Sequence, residues 1–154
     1  MIEIIQPATK HDLAAVAALF REYAEWLSDR ISLYDFEQEM QGFPRPYVPP
    51  AGTLFLAKES GAAVGAVGVR PLGAGICEMK RLYVRPEARG TGLGRKLAEA
   101  TLSWARDAGF EAMRLDTLDS LTAARALYES LGFTPIPPYN PNPPDRVLFF
   151  EKRL

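Results

Sequence analysis

The chain has 154 residues, 47% hydrophobic and 24% charged, which are the proportions of an ordinary globular domain and not of a disordered or membrane protein. A formal net charge of -1 gives no global attraction to nucleic acid or to an anionic membrane. One cysteine, Cys77, and one histidine, His11, exclude an intramolecular disulfide and a zinc cluster, so no metal is expected. No apolar run nears the ~18 residues that span a bilayer. The N-terminal MIEIIQPATKHD carries acid where a signal peptide carries base, so a cytoplasmic location follows by default.

IEIIQ (2–6) is short, β-prone and closed by Pro7. Thr9 with Asp12 three residues on has the form of a capping box. Behind it Leu13, Val16, Ala17, Phe20, Tyr23, Ala24 and Leu27 recur at three and four, predicting an amphipathic helix to about Ser28 with His11 exposed in its first turn. LYDFEQEM is a weaker helical piece ending at Gly42, and GFPRPYVPPAG (42–52) is a loop because of its four prolines. TLFLAKE (53–59) and AAVGAVGVRPL (62–72) flank Ser60-Gly61, a hairpin signal, and ICEMKRLYV (76–84) is a third strand.

From Leu93 the spacing changes to Leu93, Leu97, Ala100, Thr101, Trp104 and Ala108, a helix stopped by Gly109. EAMRLDTL is strand-like. SLTAARALYESLGF is a helix with Ala124, Leu127, Tyr128 and Leu131 on its apolar side and Gly132 at its end, and DRVLFFEKRL closes the chain as a strand. The order predicts one α/β domain over residues 1–154, on a mixed sheet with helices on both faces. An antiparallel meander leads into a β-α-β crossover that makes strands 76–84 and 111–116 parallel neighbours.

RPEARGTGLGRK (85–96) sits where the first of those strands feeds its helix. Between Lys80 and Lys96 stand six basic residues and a single acid, Glu87. A helix start exposes unpaired N–H groups and the positive end of the helix dipole, and Gly90, Gly92 and Gly94 allow positive φ and close approach. Together these predict a cradle for a phosphate-bearing anion, with Arg89, Arg95 or Lys96 adding charge-assisted bonds. The Walker pattern is absent. A dinucleotide fingerprint is the rival, since Asp116 follows Gly94 by 22 residues. Against it, the spacing is G-x-G-x-G and five residues separate strand from first glycine.

RGTGLG (89–94) resembles the [QR]-x-x-G-x-[GA] signature of the GNAT acyltransferase superfamily, and ALYESLGF (126–133) resembles its second signature, about 36 residues on. The resemblance implies acetyl-coenzyme A as the acyl donor. It also implies pyrophosphate on the amides of Arg89, Gly90, Thr91, Gly92, Leu93, Gly94 and Arg95, and pantetheine along the backbone of Leu82, Tyr83 and Val84. The implied reaction is direct attack of a primary amine, from a small molecule or a peptide, on the thioester. An alkylamine with pKa near 10.4 is only about 1 part in 2,500 deprotonated at neutral pH, so a base is useful. Glu78 stands where the family often has one, and strand alternation predicts that it shares a face with Lys80, Leu82 and Val84. Its other reading is an exposed carboxylate paired with Lys80 or Arg81. Tyr128 resembles the general acid, or is a packed ring. Leu121 stands where the family often has Asn, which leaves Asp116 to cap a helix or touch substrate. A homodimer is common in that family.

The loops 42–52 and 134–145 carry Tyr47 and Tyr139, which by the same resemblance bound the acceptor pocket; the alternative is a merely rigid surface excursion. Two other functions remain open from the sequence: a non-catalytic acyl-CoA-binding module, and a dinucleotide-dependent oxidoreductase.

Overall fold

The structure, a computed structural model, describes residues 1–27, 33–141, 143 and 145–154. Strand β1 (Ile2–Ile5) leads to helix α1 (Lys10–Trp26), whose start follows the capping pattern: the Thr9 hydroxyl accepts from the Asp12 amide at 3.1 Å. The expected helix end at Ser28 lies outside the described residues. Helix α2 (Leu33–Gln41) and the proline loop precede β2 (Thr53–Glu59), β3 (Ala62–Gly73) and β4 (Ile76–Val84). Ser60 and Gly61 both have positive φ, 51° and 86°, which gives the β2–β3 hairpin the twist of a type I′ turn. Then come α3 (Leu93–Asp107), β5 (Ala112–Leu118), α4 (Thr122–Ser130), β6 (Thr134–Ile136) and β7 (Val147–Arg153).

The seven strands form one sheet in the order β1-β2-β3-β4-β5-β7-β6, antiparallel except for β4–β5. One face is covered by α3, with Val67, Val69, Cys77, Met79, Leu97 and Phe150 in its core. The other is covered by α1 and α2 over Val16, Phe20, Phe36, Leu54, Leu56 and Tyr83. The expected loop 134–145 thus begins as an edge strand, β6, paired with β7.

Two departures from regular pairing shape the centre of the sheet. Strands β4 and β5 are bonded only where Ile76, Cys77 and Glu78 face Ala112, Met113 and Arg114. Beyond that point β4 keeps β3 as partner to Val84 and β5 keeps β7 to Leu118, so the two central strands part and leave one edge of β4 open. The second departure corrects the alternation read from sequence. Arg81 has φ 60° and the β3–β4 register slips between Ala66 and Gly68, so a bulge shifts the side-chain phase of β4. Cys77 and Met79 face the α3 core before the bulge, and Leu82 and Val84 face it after. Glu78 and Lys80 are therefore on the opposite face from Leu82 and Val84, the face that Tyr83 shares. A non-glycine residue at positive φ costs on the order of 1 kcal/mol. Here α2 holds it: Arg81 donates twice to Glu39, at 2.7 and 3.1 Å, and its guanidinium lies 4.7 Å from the Phe36 ring centroid.

Candidate active site

A cleft of about 580 Å³ opens where β4 and β5 part. Its floor at one end is the glycine turn. Gly90 and Gly92 have φ 80° and 81°, and a Cβ on either would meet nothing within 4 Å, so the turn needs glycine for backbone conformation and leaves open space in front of it. Gly94 differs: it lies inside α3 at ordinary helical φ, and its added Cβ would find Leu127 at 3.8 Å. The first helical bond of α3 runs from Lys96 N to Gly92 O at 3.1 Å. The amides of Leu93, Gly94 and Arg95 have no acceptor among the described residues, and no side chain caps the helix. Three N–H groups at a helix start, facing an empty concavity, fit an anion such as a pyrophosphate.

Arg89 donates from Nε to the Val84 carbonyl at 2.9 Å, and its guanidinium lies over Trp26 at 5.1 Å and Tyr83 at 5.8 Å. Arg95 donates to Ser130 Oγ at 2.8 Å. Leu82, Tyr83 and Val84 line the cleft, as do Gly90, Gly92, Leu93 and Gly94; Thr91 turns back, its hydroxyl donating to Ala88 O at 2.7 Å. Leu121 lines the cleft where an Asn amide is common, so that contact is apolar here.

Tyr128 reaches the cleft from α4, 7% exposed, its ring edge-on to Phe133 at 6.0 Å. Its hydroxyl has no hydrogen-bond partner among the described residues, and burial pushes its pKa above that of a free phenol. A phenol so raised is a poor proton donor and a good neutral hydrogen-bond donor toward a developing thiolate. Tyr23 stands beside it, its pKa raised by burial to about 12.

Glu78 lies on the α1–α2 face at the point where the strands part. It is 1% exposed, and its partner is neither Lys80 nor Arg81 but Arg70, whose Nε donates to Oε1 at 2.7 Å. The other oxygen, Oε2, accepts from the Tyr139 hydroxyl at 2.6 Å. Burial first, then the Glu78 charge, raise the Tyr139 pKa far above its ordinary value. Asp116, on β5, is exposed and does not cap α4; its charge acts on Tyr23, Tyr128 and Tyr139, which locates it between cleft and Glu78. Tyr47 is not among the residues that line the cleft between β4 and β5. It is 2% exposed, edge-on to Phe20 at 5.9 Å, packed over Gly68 and hydrogen-bonded to Glu39 at 2.9 Å, because the stiff loop folds inward as core.

Two members of this site carried no sequence signal. Arg70 reads as an ordinary strand cation until the register sets it opposite Glu78. Tyr23 reads as one more apolar position of α1. Among the described residues no group of acidic, cysteine and histidine side chains could hold a metal, and no helix is long and apolar enough to cross a membrane.

A mixed sheet with splayed parallel strands, a glycine turn in front of a helix and a tyrosine across the gap defines an acyltransferase class of fold. The sequence matches the Acetyltransferase (GNAT) family over residues 13–133. It is 40% identical over 145 residues to an uncharacterised N-acetyltransferase of Schizosaccharomyces pombe, covering 93% of this chain and 89% of that protein. A GNAT-family acetyltransferase from Staphylococcus aureus superposes with a TM-score of 0.83 at 19% identity, over 99% of both chains. The PaiA N-acetyltransferase of Thermoplasma acidophilum, solved with coenzyme A, superposes with a TM-score of 0.77 at 18% identity, over 100% of this chain and 99% of that one. The chain belongs to the GNAT acetyltransferase family, and its activity is N-acetyl transfer. The dinucleotide alternative is thereby set aside.

Proposed function

We propose that residues 1–154 form one GNAT domain that moves an acetyl group from acetyl-coenzyme A to a primary amine of a small molecule or peptide by direct attack. The observation that carries this reading is continuity: free amides at the α3 start, the unpaired edge of β4, Tyr128 and the Glu78–Tyr139 pair follow one another along the gap between β4 and β5. When bound, the thioester supplies an activated acyl carbon, to which a C–N bond forms as the C–S bond breaks.

The amides of Leu93, Gly94 and Arg95 hold the pyrophosphate, with Arg89 and Arg95 close by, and Leu82 to Val84 offer backbone groups to an amide-bearing arm. Asp116 attracts the acceptor as an ammonium ion. Glu78 is the base. With both oxygens engaged and almost no exposure, it takes the proton through an intermediary, and Tyr139 is already hydrogen-bonded to it: the amine proton passes to Tyr139 Oη as the Tyr139 proton passes to Glu78 Oε2. Tyr128 hydrogen-bonds the departing thiolate. We assign this activity to the cytoplasm, in keeping with a single buried, free thiol at Cys77.

The test is thiol release from acetyl-CoA with amino acids, polyamines, aminoglycosides and peptides as acceptors. Turnover with any of them supports the reading. Tight acetyl-CoA binding with no turnover against the whole panel identifies a binding module instead.

A further inference from the structure

The face of the sheet that carries Glu78 is laid out as charges in register. Across four strands, Arg70 faces Glu78, Glu78 faces Arg114, and Arg114 faces Glu151, so the signs alternate. Each neighbour is satisfied within this row: Arg70 on Glu78 at 2.7 Å and Arg114 on Glu151 at 2.8 Å. Two residues further along, on the same face, the β4–β5 offset of the row continues to Lys80 and Asp116. There the strands have already parted. No ion pair joins the two, and neither has a hydrogen-bond or salt-bridge partner among the described residues.

An unspent cation and an unspent anion thus stand on opposite banks of the gap. Arg70 adds to the cationic bank. It engages Glu78 through Nε alone, its side chain is 35% exposed, and its two terminal nitrogens keep their donors free among the described residues. By contrast Arg81, on the same face, spends two nitrogens on Glu39. Nearby Glu39 acts electrostatically on both Arg70 and Lys80 but is itself occupied by Arg81 and Tyr47.

We infer that the acceptor is an amino carboxylate, an amino acid whose ammonium lies toward Asp116 and whose carboxylate is held by Lys80 and the terminal nitrogens of Arg70. The inference rests on the acetyltransferase reading and narrows its acceptor. A polyamine or aminoglycoside sets a second cation against Lys80 and Arg70, and a peptide N-terminus leaves both without an anion. Orientation follows too, because the amine is drawn to the side of the gap where Asp116 acts on Tyr128 and Tyr139.

Matched pairs test this: amino acids and their primary amides, compared by kcat/KM for thiol release. Amidation lowers the amine pKa and raises the free-base fraction, so chemistry at nitrogen alone favours the amide. The expected result is a preference for the acid of about tenfold or more, the size of one charge-assisted contact. Lys80→Met is expected to raise KM for the acid about tenfold and shrink the acid-to-amide ratio toward one, with its melting temperature recorded to confirm folding. Amides, polyamines or peptides turned over as well as the acids overturn the inference and leave the acetyltransferase reading standing. Should no amine turn over, calorimetry on the protein saturated with coenzyme A decides separately. Tighter binding of acid than amide upholds the amino-carboxylate site, and equal or absent binding overturns it.

Discussion

Glu78 and Tyr139 belong to segments 61 residues apart yet share a 2.6 Å hydrogen bond, and neither makes chemical sense as a base without the other. Glu78 is too enclosed to meet an amine, and the neutral Tyr139 phenol is too weakly basic to keep a second proton unless it passes its own to Glu78. Tyr139→Phe should therefore lower kcat by about tenfold or more, as should Glu78→Gln, while acetyl-CoA affinity stays close to the parent value. If the two act as one relay, the double variant loses no more than the worse single one; losses that multiply would separate their roles. Tyr128→Phe keeps the ring against Phe133 and removes only the hydroxyl. A lower kcat at unchanged acetyl-CoA affinity is expected from it, whereas an unchanged kcat reduces Tyr128 to packing.

The glycine turn and the bulge are the two elements on which the site hangs, and they respond differently to substitution. Gly92→Ala strains a left-handed residue and should cost about 1 kcal/mol, visible as a lower urea midpoint. Gly94→Ala meets only an ordinary contact at 3.8 Å, so stability should hardly move while KM for acetyl-CoA rises, because the new methyl occupies the face where the ligand approaches. The glycine turn and the uncapped start of α3 were legible because their residues are contiguous and a helix start has the same physics wherever it occurs. The Glu78 neighbourhood was not. Which of Arg70, Lys80 or Arg81 pairs with Glu78 depends on β3–β4 register, and the register depends on a bulge at Arg81 that no composition rule announces. The burial of Tyr47 was hidden for a related reason: proline-rich segments are usually surface, and here Phe20 and the bare backbone of Gly68 provide a slot that draws the ring inside.

At the scale of the molecule, stability should fall away at both ends of the pH range. Burial works to raise the Glu39 carboxyl, but the hydrogen bond and charge of Arg81 outweigh it and hold the pKa below the ordinary 4.5; for Glu22 the hydrogen bond from Arg85 is the largest influence, with the same net direction. A folded-state pKa below the unfolded one means stability that is complete above pH 4.5 and lost as pH falls through the lowered value. Urea midpoints should decline in that window, and less steeply in Glu39→Gln, which should also start lower at neutral pH by about 1–3 kcal/mol. At the alkaline end the five described tyrosine side chains all titrate above 10, with burial the leading cause. Their contribution is complete below pH 10 and lost as pH climbs past it, so phenolate absorbance should rise together with unfolding rather than ahead of it.

The phase shift at Arg81 also bears on how this strand tolerates changes in length. Leu82 and Val84 line the same core as Cys77 and Met79 only because one extra residue separates the two sets. Deletion of Arg81 would restore strict alternation and leave Leu82 and Val84 facing the α3 core, with Tyr83 still on the opposite face, because the residue removed is the extra one that separates the two sets. Arg81 therefore behaves like a spacer that the strand can lose without changing which side chains it buries. The deletion variant should have a urea midpoint close to that of Arg81→Ala, since both lose the Glu39 clamp and neither turns a core side chain outward.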